Sequence, residues 1–252
     1  MDIVRASDLT LRILETVAFS PEPMGVTAIA LRVGIAKSGA FKHLHTLMDR
    51  GYLLQDPDTN RYRLGPKAWL FSRIAPSTDD IASIAEGAMK RARDETDISV
   101  VLSVPTHAAV FVLNTVHNTQ AVEIGVRPGS ELPLHASAQG KVALAFGSPD
   151  LATMLARQDL ARLTPHTVTD YTHLMREIES VKECGFASAP EQVLLGVNTI
   201  AAPVFDRMSK LVACVGLVGS IQHLTSPPER EHIAALLRLG KTISATIGGH
   251  LD

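Results

Sequence analysis

The chain has 252 residues, with 24 Lys and Arg against 26 Asp and Glu and a formal net charge of −2. At about 100–200 residues per domain, that length makes one large domain or two of modest size. Apolar residues are 46% and charged residues 20%, which excludes a disordered chain, a collagen and a coiled-coil rod. No run of 18 apolar residues occurs and nothing like a signal peptide opens the sequence, so neither a membrane span nor secretion is expected.

The charge is uneven. Residues 1–75 hold ten Lys/Arg and seven Asp/Glu, and Gly25 to Met48 has no acid at all while carrying Arg32, Lys37, Lys42, His43 and His45. A surface that faces phosphates must lack carboxylates, because one would repel the polyanion. A solvated helix face without acids also fits this stretch.

Leu9, Ile13, Leu14, Val17 and Ala18 recur at helical spacing, and Pro21-Glu22-Pro23 ends that helix. Thr27 is placed to cap a short second helix with Ile29, Ala30 and Leu31, stopped by Gly34. Ser38 is placed to cap a third helix running to Arg50, with Ala40, Phe41, Leu44, Leu47 and Met48 as its apolar face. Gly39, Lys42, His43 and Thr46 fall opposite. A short helix, a tight turn and a helix with an acid-free outer face make a helix-turn-helix.

Tyr52–Gln55 and Arg61–Leu64 read as two strands around the turn Asp56–Asn60. A hairpin with Arg61 and Arg63 directly after the third helix is a wing, whose arginines are expected on phosphate or in the minor groove. Gly65-Pro66 closes the wing, and Lys67 to Ile74 reads as a linker helix with Trp69, Leu70 and Phe71. Pro76-Ser77-Thr78 is the expected hinge.

The rest mixes helix and strand without a βαβ repeat. Ile81–Glu95 is helical, and Ile98–Val104, Ala108–Leu113 and Ala121–Val126 read as strands. Helices are expected near Gly140–Phe146, Leu151–Gln158 and His173–Cys184, strands at Ile200–Phe205 and Leu211–Val218, and a last helix at Pro228–Ile247. Such an order predicts an α+β domain with an antiparallel sheet and helices on its faces. Cys184 and Cys214 form no C-x-x-C, so reduced thiols in a cytoplasmic protein are expected, with a redox sensor as a minor alternative.

The motifs of catalysis are missing. Around Gly140-Lys141 the phosphate-loop pattern fails, with His135 where its first Gly belongs and Val142 where its hydroxyl belongs. Ser137 and Lys141 are not spaced as S-x-x-K, and neither G-x-S-x-G nor H-E-x-x-H occurs. No enzyme, cofactor or metal site is expected.

Leu11–Glu15, Arg50–Leu53 and Tyr62–Gly65 are similar to the first helix and wing of the IclR-type regulators, the isocitrate lyase regulator family. Leu132–Lys141, Gly185–Ala187, Glu191, Gly196-Val197 and Ile200–Asp206 resemble that family's second domain, in order and spacing. The resemblance implies a winged helix-turn-helix over 1–66, a linker helix and hinge over 67–78, and a GAF-like α+β domain over 79–252 for effector binding and oligomerisation. It implies double-stranded operator DNA as partner, a homodimer or a dimer of dimers, and a small carboxylate effector.

For DNA the expected contacts are Thr27, Lys37, Ser38, Gly39, Lys42, His43, Arg61 and Arg63. For the effector, Ser137-Ala138-Gln139-Gly140 opens a helix whose free N–H groups can receive a carboxylate, though Ser137 also reads as a plain cap. The resemblance places the other pocket wall at Glu191, Val197, Asn198, Thr199, Val215 and Leu217. Asn198 and Thr199 equally read as strand-edge residues. Many relatives carry acids before Glu191, whereas this chain has Ser188-Ala189-Pro190. That departure predicts a roomier, less polar pocket for an aromatic or longer acid. The competing reading is a DNA-binding protein whose C-terminal domain only oligomerises.

Overall fold

The computed structural model describes residues 4–74 and 78–248, in two compact units divided between Asp79 and Asp80. Pro76 and Ser77 of the expected hinge lie outside the described residues.

In the first unit, α1 (Arg5–Ala18), α2 (Val26–Val33) and α3 (Lys37–Asp49) enclose Ile13, Val17, Ile29, Val33, Leu44 and Leu47, with Leu53 and Tyr62 from the wing. The turn between α2 and α3 depends on Gly34, which takes φ 79°. In this left-handed conformation its amide and that of Ile35 both reach the Ala30 carbonyl at 3.0 Å. Two expected caps are corrected. Gly25 and Ala36 occupy the N-cap positions of α2 and α3, without side-chain caps. Thr27 and Ser38 therefore sit inside the first turns, exposed.

The wing is β1 (Leu53–Gln55) paired antiparallel with β2 (Tyr62–Leu64). Asp56 shapes its turn by accepting from the Thr59 amide and hydroxyl, each at 2.8 Å. Those bonds hold its carboxyl below the usual range. Met24 pairs with Tyr62 in a single bridge, which ties the chain before α2 to the wing. The linker helix α4 (Pro66–Ile74) folds back on Tyr52, with the Phe71 ring 5.7 Å away and Lys67 Nζ 4.8 Å above the phenol.

Helix α5 (Thr78–Thr96) leads into the second unit, which carries a six-stranded antiparallel sheet. In chain order its strands are β3 (Ser99–Pro105), β4 (Val110–Val116), β5 (Glu131–Leu132), β6 (Ala187–Ser188), β7 (Val197–Phe205) and β8 (Leu211–Ser220). They lie in the order β5-β4-β3-β8-β7-β6. Ala121–Val126 is not a strand. The Thr115 hydroxyl donates to the Val126 carbonyl, Val112 of β4 exchanges backbone bonds with Gly129 and Ser130, and strand pairing with β4 is at Glu131–Leu132.

Alternation along the central strands makes two cores. On one face Val101, Ala201, Cys214 and Val218 pack under α6 (Ala138–Phe146), α7 (Pro149–Leu155) and α8 (Tyr171–Cys184). On the other Val100, Leu102, Ile200, Val215 and Leu217 meet α5 and α9 (Arg230–Thr246). Among the described residues no helix is long and apolar enough to cross a membrane.

Candidate functional site

The outer face of α3 presents Lys37, Ser38, Lys42, His45 and Thr46, all exposed. Gly39 looks onto open space, with nothing within 4 Å of where a Cβ would stand. Two expected contacts are already engaged. His43 is half-buried, and its Nδ1 lies 2.8 Å from the Thr10 hydroxyl of α1, because its position on α3 turns it toward that helix. Arg61 donates to the Pro23 carbonyl at 3.3 Å, while Arg63 is exposed on the wing. Phe41, expected in the core, is instead 51% exposed. Ala40, Leu44 and Leu47 are the buried residues of α3, and Met48, partly buried, packs against the same core.

In the second unit the first turn of α6 is sealed inside. Ser137 caps it, accepting from the Gly140 amide at 3.0 Å and donating to the Pro133 carbonyl at 2.7 Å. At Gly140 a Cβ would lie 2.5 Å from Leu134 Cα and from the Pro133 and Leu134 carbonyl oxygens. Only glycine allows this approach. The amides of Ala138 and Gln139, at the first two helical positions, have no acceptor within the helix.

The Gln139 side chain is 1% exposed and lies against Gly216 of β8, where Nε2 stands 2.6 Å from an ideal Cβ position. That buried Nε2 donates to nothing. Cys214 approaches the Gln139 carbonyl with its thiol at 3.6 Å, and burial pushes that thiol's pKa up.

Next along α6, Lys141 is 1% exposed and forms an ion pair with Glu177 at 2.7 Å. It also donates to Gln192 Oε1 at 2.9 Å and to the Ser188 carbonyl at 3.4 Å. Burial lowers the Lys141 pKa, and Glu177 restores part of the loss. Reading the sequence as a failed phosphate loop misses this network. Its partners come from distant segments, and the signal within reach is a lysine inside an apolar helix.

The other expected effector residues divide between the two faces of the sheet. Val197 packs on the α6 side, and Thr199 shares its face by alternation. Val215 and Leu217 belong to the opposite core and cannot face α6, so Cys214, Gly216 and Val218 take that place. Asn198 is likewise turned away. It is fully buried and donates to the carbonyls of Leu224 and Thr225 at 2.9 and 2.8 Å. Glu191 holds its own loop, accepting from the Gly196 amide at 2.8 Å, while the Thr164 hydroxyl donates to its carbonyl at 2.6 Å.

A separate cleft of about 230 Å³ at the end of the sheet is lined by Asp97, Asn118, Gln120, Ile124, Ser220 and His223 among others, and by none of the expected residues. Hydrogen bonds from Gln120 and Thr119 hold the Asp97 carboxyl below its usual range, so this cleft does not suit an acid.

The chain matches the model of the IclR helix-turn-helix domain over residues 8–57 and that of the bacterial transcriptional regulator IclR C-terminal domain over 75–245. It is 30% identical over 217 residues to the HTH-type transcriptional regulator BhcR of Paracoccus denitrificans, covering 86% of this chain and 77% of that one. It is 25% identical to the transcriptional repressor IclR of Escherichia coli over 243 residues, covering 95% and 88%. Among solved structures, an IclR homologue from Microbacterium hydrocarbonoxydans complexed with 4-hydroxybenzoate superposes with a TM-score of 0.78 at 23% identity, covering 96% of this chain and 98% of that one.

Proposed function

Because the chain belongs to the IclR family of bacterial transcriptional regulators, a family of DNA-binding proteins and not of enzymes, we propose that it is a cytoplasmic, ligand-responsive regulator of a small-molecule catabolic operon, and that a small carboxylate bound at the first turn of α6 sets its operator affinity. The observation that carries this reading is the unpartnered Nε2 of Gln139. A buried donor without an acceptor costs about 1–3 kcal/mol, and an arriving acceptor removes that cost. Together with the Ala138 and Gln139 amides and the positive end of the helix it makes a set of neutral donors suited to a carboxylate. Lys141 is not part of this set, since Glu177 already neutralises it. Val197 and Val218 offer apolar surface to the body of the acid, and the bound 4-hydroxybenzoate of the neighbour supports an aromatic one.

The DNA side of the reading is Lys37, Ser38, Lys42 and Arg63, exposed on α3 and the wing, in a homodimer or a dimer of dimers on operator DNA. An effector shifts DNA affinity only by binding two states of the protein unequally. The linker that follows α4 is the covalent route for that coupling.

Calorimetry and DNA-binding anisotropy at fixed salt, with benzoate, 4-hydroxybenzoate, pyruvate and glyoxylate, test the proposal. An aromatic acid should bind and move the DNA midpoint. Tighter binding of pyruvate or glyoxylate overturns the aromatic preference. DNA binding indifferent to every acid, with no heat of binding, favours a C-terminal unit that only assembles the protein. Gln139→Met should raise the ligand-free Tm, by about 2–4 °C per kcal/mol recovered, and abolish the response to acid. A lower Tm would show that the amide is bonded in the folded protein.

A further inference from the structure

A single exposed apolar side chain is ordinary on a protein surface, so the exposure of Phe41 acquires meaning from where it lies. It stands in the first half of α3, the part of a recognition helix that reaches base edges. Its helical neighbours three and four positions away are Lys37, Ser38, Leu44 and His45, and Lys42 follows it; Leu44 is buried in the core, and the other four are exposed. No acid occurs from Gly25 to Met48. Asp49, the first to follow, is in the last turn of α3 and is occupied by His45 at 3.0 Å. The aromatic ring therefore sits within a basic surface complementary to a polyanion. The polar readers beside it are few, because His43 is committed to Thr10.

The major groove offers one apolar group, the C5-methyl of thymine. We propose that Phe41 contacts a thymine methyl in each operator half-site and is a specificity-determining residue of this regulator. Lys37 and Lys42 supply attraction that tolerates many sequences, and the ring supplies discrimination at one position. Phe41 has no charge or donor with which to hold phosphate, so its contribution differs in kind from theirs. The proposal rests on α3 being the helix that enters the groove, a reading the experiment tests separately.

The full-length protein is used to select duplexes from a random library. The best site is then remade with deoxyuridine in place of each thymine in turn, which removes the methyl and nothing else. Affinities are compared for the wild type, Phe41→Ala and Phe41→Leu by anisotropy at one salt concentration. At one position per half-site the loss of the methyl should weaken the wild type about fourfold, the worth of one buried carbon group. Phe41→Ala should be indifferent there, and Phe41→Leu intermediate. Binding to unselected DNA and its salt dependence should be the same in all three, since no phosphate contact is lost. Equal uracil sensitivity in wild type and Phe41→Ala overturns the proposal. So does a selected site at which no thymine-to-uracil change matters to the wild type, a result that needs no variant. Failure to enrich any sequence would overturn the reading of α3 itself, and Phe41's role with it.

Discussion

The ion pair between Lys141 and Glu177 should respond unequally to loss of its two members. Lys141 is 1% exposed, whereas the Glu177 side chain is 30% exposed. Glu177→Gln strands an ammonium inside the protein with only neutral acceptors, Gln192 Oε1 and the Ser188 carbonyl. Breaking a buried pair by removing one partner costs about 3–5 kcal/mol, and the lower end applies because two acceptors remain and the amine can lose its proton. Lys141→Met nearly conserves volume and leaves a carboxylate that water and His173, 3.7 Å away, can reach, so its cost should be about 1–2 kcal/mol. The double variant should resemble Lys141→Met, with a coupling of about 3 kcal/mol. At about 2–4 °C per kcal/mol, calorimetry should show Glu177→Gln melting roughly 6–12 °C below the wild type. The pH dependence has a definite sign. The folded pKa of Lys141 lies below its ordinary 10.5, so the unfolded chain holds this proton more tightly. Its contribution to stability therefore rises as pH climbs toward 10.5 and falls as pH drops through the folded value. That rise should vanish in Lys141→Met and begin at lower pH in Glu177→Gln. Additive single variants, or a Lys141→Met that costs more than Glu177→Gln, would refute the buried-charge account.

Two further outcomes follow from the same core. Gly140→Ala places a methyl 2.5 Å from the backbone of Pro133 and Leu134, which cannot yield as a flexible side chain would, so about 1–3 kcal/mol should be lost; an unchanged Tm would mean that α6 is free to slide. In the native protein Ellman's reagent should titrate one thiol per chain, the exposed Cys184, with Cys214 silent until denaturation. Two fast thiols would show that the interior beside Gln139 is open to solvent.

The helices of the first unit are legible in the sequence because each is buried on one side only. Ile13, Val17, Ile29, Leu44 and Leu47 recur at the helical period and all lie in the core. Their caps are less legible, since Thr27 and Ser38 have the chemistry of caps while the chain enters α2 and α3 at Gly25 and Ala36. Phe41 shows the limit of reading polarity as burial. Ala40, Leu44 and Leu47, with the partly buried Met48, fill the space against α1 and α2, and Phe41 beside them is left to solvent.

The second unit is harder for a physical reason. β7 and β8 are covered by helices on both faces, so their sequences are nearly continuous apolar runs and carry no polar alternation to reveal which residues look which way. Choosing the wrong parity moves every side chain to the other face at once. That is why Asn198, Val215 and Leu217, expected with α6, lie with α9 and the Leu224 loop instead. One signal was present. A glycine inside a buried strand marks a place where another group approaches the backbone, and Gly216 interrupts the otherwise apolar stretch Leu211–Val218. The group that approaches is the carboxamide of Gln139, a side chain expected at the site for its backbone amide alone. The glycine at 216 and the helix's unpartnered donor therefore meet at one point, and that parity puts Cys214, Gly216 and Val218 against α6.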